Sequence, residues 1–237
     1  MQSYDILVAG EINPDLILSG DVVPAFGQVE KLVDSAVLAV GSSSVITACG
    51  AARLGLKVAF IGVCGEDLFG RFMLEEMQER GVDTSAVIVD PARSTGLTVV
   101  LNRPIESGSR YAGVAPATRP SRQVDRAMLT FPGAIAALTA ADVDDGLLAR
   151  ARHLHVASYF LQTALQPGLP DLFARAHALG LTTSLDTNWD PSGEWRGFER
   201  LLRQVDVFLP NENEAKAIAG RENIESATQR LNDSCRG

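Results

Sequence analysis

The chain has 237 residues, 46% of them hydrophobic and 21% charged, proportions that build a folded core and exclude a disordered chain. With 21 Lys plus Arg against 29 Asp plus Glu, the formal charge is −8. Such a surface repels phosphate backbones and anionic lipid, so neither nucleic acid nor a membrane is expected as a partner. The start, Met1-Gln2-Ser3-Tyr4-Asp5, lacks the basic residues of a signal peptide, and Arg53 and Lys57 interrupt the longest apolar stretch. A cytoplasmic protein is expected. Cys49, Cys64 and Cys235 form no C-x-x-C pair and read as reduced thiols rather than a zinc or redox motif.

Residues 4–10 are a short apolar run ending in glycine, which reads as a buried strand. Residues 15–18 extend the pairing after the Asn13-Pro14 turn, and residues 29–40 mix polar and apolar residues as a half-exposed strand does. Residues 43–54 read as a helix opened by serines suited to N-capping and closed by Gly55. A strand over 57–63 follows. Asp67 then caps a helix whose Phe69, Phe72, Met73 and Met77 share one face, and Gly81 ends it. Two strands, 84–89 and 95–102, come without a helix between them. Residues 103–123, rich in Pro, Ser, Gly and Arg, read as a loop or flap. Alternation then resumes with strands over 126–131, 153–157, 181–185 and 205–209. The helices of this half are expected over 144–150, 169–179, 194–203, 211–219 and 224–231. This order predicts an α/β fold with a central, mostly parallel sheet flanked by helices.

Several common sites are excluded by inspection. Gly50 and Gly55 have P-loop spacing, but Leu56 stands where the lysine is required, and no G-x-G-x-x-G follows the first strand. H-E-x-x-H and G-x-S-x-G are also absent. His153 and His155 alternate along one strand, and without a third ligand they read as packing or hydrogen-bonding residues. What remains is a glycine framework: Gly41-Ser42-Ser43-Ser44, then Gly55, then Gly62 through Gly70. A small-residue turn at a helix N-terminus presents unpaired backbone N–H groups to a polar ligand. The alternative is that these glycines only end helices and turn strands.

That spacing resembles the first signature region of the PfkB-type (ribokinase-like) carbohydrate kinases, which transfer the ATP γ-phosphoryl group to a sugar hydroxyl. Other stretches agree, in order. Gly10-Glu11-Ile12-Asn13-Pro14-Asp15 looks like the family's sugar-binding strand end. Ser184-Leu185-Asp186-Thr187-Asn188 looks like its D-x-N strand end, and Pro210-Asn211-Glu212-Asn213-Glu214 looks like its N-x-x-E motif. The resemblance covers about residues 4–219. It implies one ribokinase-like domain over 1–237, with a small β lid drawn from about 11–40 and 84–130. It also implies ATP and Mg²⁺ as cofactors, a small sugar or related polyol as substrate, and a homodimer through the lid.

By the same resemblance, Asn13, Asp15, Gly41 and Ser42 bind substrate, Asn188, Asn211 and Glu214 serve the cofactor, and Glu214 meets the metal. Each has a plainer reading. Asp15 suits an Asx-type turn, Gly41-Ser42 a simple helix start, and Glu214 a favourable first-turn carboxylate. Trp189 and Tyr159 suit stacking on a sugar or base, but core packing is the commoner role of such rings and is the expectation here.

Two departures from the family pattern stand out. Ile46 takes the place of the family's asparagine after the glycine pair, which makes that wall of the pocket apolar and alters substrate choice. The G-A-G-D turn, whose aspartate is the family's base and whose amides form its anion hole, does not occur in these residues. The C-terminal part of the fold is therefore expected to be missing, with no catalytic residue in the chain, little or no activity, and an exposed sheet edge prone to aggregation. The competing expectation is a non-catalytic sugar-binding or regulatory remnant of the family.

Overall fold

The computed structural model of the protein describes residues 3–104, 124–197 and 199–235. The chain opens with β1 (Tyr4–Ala9), β2 (Pro14–Ser19), β3 (Ser35–Val40), α1 (Ser43–Arg53) and β4 (Val58–Ile61). Next come β5 (Val63–Gly65), α2 (Leu68–Glu79), β6 (Val82–Asp83), β7 (Ile88–Asp90), β8 (Leu97–Pro104) and β9 (Val124–Phe131). The second half holds α3 (Asp145–Leu148), β10 (Ala151–Val156), α4 (Leu169–Ala178), β11 (Thr182–Leu185), α5 (Glu199–Leu202), β12 (Val207–Phe208), α6 (Glu212–Ala219) and α7 (Ile224–Asn232).

The larger sheet has six parallel strands in the order β12-β11-β10-β1-β4-β6. β1 and β4 are mostly apolar, as strands covered on both faces are, whereas β10 carries His153 and His155 and β11 carries Thr182, Thr183 and Ser184. Successive residues of β1 feed opposite cores. Leu7 and Ala9 join Leu154, Leu172, Phe173 and Ala215 on one side, whereas Val8 joins Val45, Phe60, Met73 and Met77 on the other. Met73 and Met77 are fully buried, so truncating either to alanine costs about 2–5 kcal/mol. From β1 the chain moves outward to β4 and β6, then returns to β10 on the other side of β1 and continues to β11 and β12. The strand order thus reverses between β1 and β10, the kind of point where open α/β sheets gather ligands.

A second sheet of four strands, β3-β2-β8-β9, joins the first at the C-terminal end of β1. Here β2 runs antiparallel to β3 and parallel to β8, and β8 runs antiparallel to β9. Register places Asp15, Thr98 and Thr130 on one face, the face through which Asn13 Nδ2 donates to Thr98 Oγ1 at 3.2 Å. Alternation puts Leu38, Leu129 and Phe131 on the opposite face, where they are exposed. A two-stranded parallel pair, β5 with β7, completes the sheets.

Three expectations need correction. The strand expected over 29–40 is confined to Ser35–Val40; ahead of it Lys31 turns back to bond the Val23 carbonyl at 3.0 Å and pair with Asp21. Of the strand expected over 84–89 only Ile88 and Val89 are strand, in β7; ahead of them lies a turn after β6 in which Asp83 accepts from the Ser85 amide. The helix expected over 194–203 is helical only at Glu199–Leu202 among the described residues, because the Asp190 carboxylate captures the amides of Ser192 and Trp195 and holds the preceding stretch as a turn. Most of the expected 103–123 loop, from residue 105 onward, lies outside the described residues.

Candidate active site

Glu11, directly after β1 and Gly10, is the centre of a buried polar cluster at the switch point, with 2% of its surface exposed. Its Oε1 accepts from Ser158 Oγ at 2.7 Å, from Ser43 Oγ at 3.2 Å and from the Ser44 amide at 3.4 Å, and its Oε2 accepts from Ser44 Oγ. Four acceptances satisfy a carboxylate that water does not reach. Gly10 makes the approach feasible: a Cβ there would fall 1.9 Å from Ser44 Oγ. The cluster thereby ties the end of β1 to the start of α1 and to Ser158, two residues beyond β10.

Asn188, beyond β11, closes the cluster by donating Nδ2–H to Ser43 Oγ at 2.7 Å and to Ser158 Oγ at 2.6 Å. Ser42, Ser158 and Asn188 all carry positive φ, at 67°, 53° and 54°. Left-handed backbone at non-glycine residues is held only where surrounding contacts impose it, and three instances in one cluster are characteristic of a functional centre. Ser42 is the N-cap of α1, accepting from the Val45 amide at 3.1 Å while donating to the Glu11 carbonyl at 2.6 Å.

Asp15 lies on β2 in regular strand geometry, not in an Asx turn. Its half-buried carboxylate rests on Gly41, and burial pushes its pKa up against the opposing pull of the Arg126 charge. The structure therefore brings Asp15, Gly41, Asn13 and Ser42 together at the N-terminus of α1. Ile46, one turn into that helix, is 55% exposed and stands open to solvent.

Asp186, Asn188, Asn211 and Glu214 gather at the C-terminal ends of β11 and β12. Asp186 accepts the Asn188 amide at 3.1 Å, and its pKa is pushed up to about 6, chiefly by burial and further by the charges of Glu214 and Glu11. Asn211 and Glu214 form a reciprocal capping box on α6: Asn211 Oδ1 accepts the Glu214 amide at 3.1 Å, and Glu214 Oε2 accepts the Asn211 amide at 3.0 Å. The plainer reading of Glu214 is thus satisfied in full, alongside any role toward a cofactor.

Tyr159 is buried, as expected, and donates to the Gly197 carbonyl at 3.1 Å. Trp189 is not core: it is 58% exposed and rests edge-on against Trp195. His153 and His155 point the same way and share Ser184 Oγ, at 2.6 and 2.7 Å. Among the described residues no group of three or more His, Cys, Asp or Glu side chains is arranged to hold a metal ion. Sequence reasoning passed over Glu11, Ser43, Ser158 and Asp186 as site residues. Their signal was position alone, since each follows a strand of the parallel sheet or opens the helix beside it.

The family model for pfkB family carbohydrate kinases matches residues 5–107 and 114–235. A fructokinase from Klebsiella pneumoniae is 29% identical over 201 residues, 81% of this chain and 59% of that protein. A 5-dehydro-2-deoxygluconokinase from Shouchella clausii is 47% identical over 60 residues, 25% of this chain and 18% of that protein. The matched residues therefore span less than two thirds of either curated relative. In three dimensions a fructokinase from Xylella fastidiosa with bound ATP superposes with a TM-score of 0.74 at 20% identity, covering 98% of this chain and 70% of that one. Among the described residues no helix is long and apolar enough to cross a membrane. The fold is that of the ribokinase-like sugar kinases, and the chain belongs to the pfkB family of carbohydrate kinases.

Proposed function

We propose that the protein acts as an ATP-dependent carbohydrate kinase, passing the γ-phosphoryl group to a hydroxyl of a small sugar or polyol. The observation that carries this reading is the Asp15 carboxylate, seated on Gly41 beside the N-terminus of α1. Asp15 accepts two hydroxyl hydrogens of the sugar, and the backbone of Gly41 and Ser42 approaches it closely. Asn13 holds the second sheet in place through Thr98. That sheet acts as a lid whose closure excludes water.

The cluster of acidic groups suits a hydrated divalent cation. Asp186 is kept hard to ionise partly by the negative charge of Glu214, and a cation beside them relieves that repulsion. Mg²⁺ needs few protein ligands because it keeps several waters. We assign its contact to Glu214 and the ordering of the nucleotide phosphates to Asn211 and Asn188. Bound Mg·ATP supplies the transferable phosphoryl group and the countercharge for it.

Phosphoryl transfer depends on positioning and on stabilising charge, and the G-A-G-D base and anion hole do not occur within these residues. We therefore propose that residues 1–237 by themselves bind sugar and transfer phosphoryl slowly or not at all. The exposed Leu38, Leu129 and Phe131 on the outer face of the second sheet support a homodimer formed through the lid. Free thiols at Cys49, Cys64 and Cys235 suit the cytoplasm. Coupled ADP formation is the test, with Mg·ATP and a panel headed by fructose and 5-dehydro-2-deoxygluconate. Sugar-dependent thermal stabilisation with ADP release near background supports the reading for this chain. ADP release at ordinary kinase rates contradicts the role given to the G-A-G-D segment, and no response to any sugar contradicts the kinase assignment.

A further inference from the structure

The orientation of the Asn188 amide follows from counting protons. Glu11, as a carboxylate, only accepts, and Ser43 and Ser158 have one hydroxyl proton each. Ser158 gives its proton to Glu11 Oε1 at 2.7 Å. Ser43 has Glu11 Oε1 at 3.2 Å and Ser158 Oγ at 2.9 Å, and donates to one of them. Both serines are then left with lone pairs facing Asn188, whose nitrogen stands 2.7 Å from Ser43 and 2.6 Å from Ser158. An amide oxygen in that position would stand 2.6 Å from the Ser158 oxygen with no proton between them, and would gain a proton from Ser43 only if Ser43 gave up both Glu11 and Ser158 as acceptors. Both Nδ2 protons are thus spent inward, and Oδ1 is turned away from the cluster.

We propose that Glu11 is a positioning residue: through Ser43 and Ser158 it fixes Asn188 as a pure acceptor toward the cleft, so that Asn188 takes a hydrogen-bond donor such as a sugar hydroxyl or a metal-held water, and not a phosphate oxygen. The identity of that outward partner rests on the kinase reading; the inward wiring does not. It also refines the assignment above, since Asn188 then orders the phosphates only through water. Glu11 touches no substrate in this scheme. Its effect is exerted through two hydroxyls and an amide, held in place by the positive φ of Ser158 and Asn188.

The test is side-chain amide hydrogen exchange in the ¹⁵N-labelled chain, with the Asn188 signal assigned by its loss in Asn188→Ala. Both Asn188 protons are expected to exchange about tenfold or more slowly than those of the exposed Asn213, the effect of one good hydrogen bond to each. Glu11→Gln keeps an oxygen at the Oε1 position and turns its NH2 to Ser44 Oγ, so protection should persist; in Glu11→Met that acceptor is gone, the hydroxyl protons turn toward Asn188, the amide flips, and exchange rises to the Asn213 rate. Glu11→Asp remains acceptor-only and keeps most of the protection, which a merely structural role for Glu11 does not explain. Fast exchange in the unaltered protein, or undiminished protection in Glu11→Met, overturns the proposal. Should Glu11→Met fail to fold, a second arm on the unaltered protein decides: millimolar inorganic phosphate leaves the protection intact if Asn188 only accepts, and abolishes it if the amide turns to bind phosphate. No arm uses sugar or ATP. A protected Asn188 in a chain that binds no sugar sinks the kinase reading and leaves the wiring standing.

Discussion

A methyl group on Gly41 would stand 2.3 Å from Asp15 Oδ1 and 2.7 Å from the Asn13 carbonyl oxygen. The start of α1 and the carboxylate on β2 are therefore in contact only because residue 41 has no side chain. Gly41→Ala must push Asp15 and the Asn13 backbone aside. We expect a loss of about 1–3 kcal/mol in stability from overpacking and abolition of any sugar-induced rise in Tm. A Gly41→Ala variant that responds to sugar as the unaltered protein does would separate Asp15 from the binding site.

Asp186 makes a second prediction. Its pKa in the folded protein, about 6, lies above the ordinary 3.8, so the native state holds the proton more tightly than the unfolded chain. Stability linked to this group is present at low pH and is lost as pH rises from about 4 to 6. Allowing for its partial exposure to solvent, the ionised form costs about 1–2 kcal/mol above that window. Asp186→Asn, which keeps an acceptor for the Asn188 amide, should be more stable than the unaltered protein at neutral pH, with the advantage gone near pH 4. Urea midpoints across that range measure it.

His155 acts in the opposite direction. Burial, with a lesser contribution from His153, lowers its pKa from 6.5 to about 4. Above 6.5 neither state binds a proton, so the native state is at its best there. As pH falls from 6.5 to about 4 only the unfolded chain binds the proton, and about 3 kcal/mol is lost. Because Asp186 compensates over part of the same window, the informative quantity is the difference between variant and unaltered protein. His155→Leu should flatten that part of the profile, and Ser184 keeps His153 as a partner at 2.6 Å.

The capping box separates structure from function at α6. Asn211→Ala removes the acceptor for the Glu214 and Asn213 amides and should cost about 1 kcal/mol. Glu214→Gln retains an oxygen for the Asn211 amide but sets its NH2 against Asn211 Nδ2, which now donates to the second carboxylate oxygen, so it should cost about 1 kcal/mol. It removes the charge we assign to Mg²⁺. The rise in midpoint on adding Mg·ATP should therefore shrink in Glu214→Gln.

The parallel sheet was legible because strands such as Tyr4 to Gly10 are written as short apolar runs ending in glycine or a polar residue. Asp15, Gly41, Asn188 and Glu214 were singled out by the resemblance of their motifs to the family pattern, and the structure places them beside strand ends or helix starts. Glu11 was not. Its importance depends on Ser158, 147 positions away, and on the space left by Gly10, and neither is encoded in local spacing. Local competition explains the misplaced helix before Arg203: the Asp190 carboxylate offers the backbone of Ser192 and Trp195 a better partner than a helical turn does. Trp189 was misjudged for a different reason: it lies beyond the end of β11, where its ring contact is with Trp195 and the rest of it is open to solvent.

The central claim is that Asp15 anchors a sugar between the two sheets, and titration calorimetry of the 237-residue chain against the sugar panel tests it most directly. Asp15→Ala is the comparison, because burial already disfavours the Asp15 charge and its removal should not weaken the fold. The account requires at least one sugar to bind the unaltered chain and to lose tenfold or more of its affinity, about 1.4 kcal/mol or above, in Asp15→Ala. A sugar bound equally well by both proteins would contradict it.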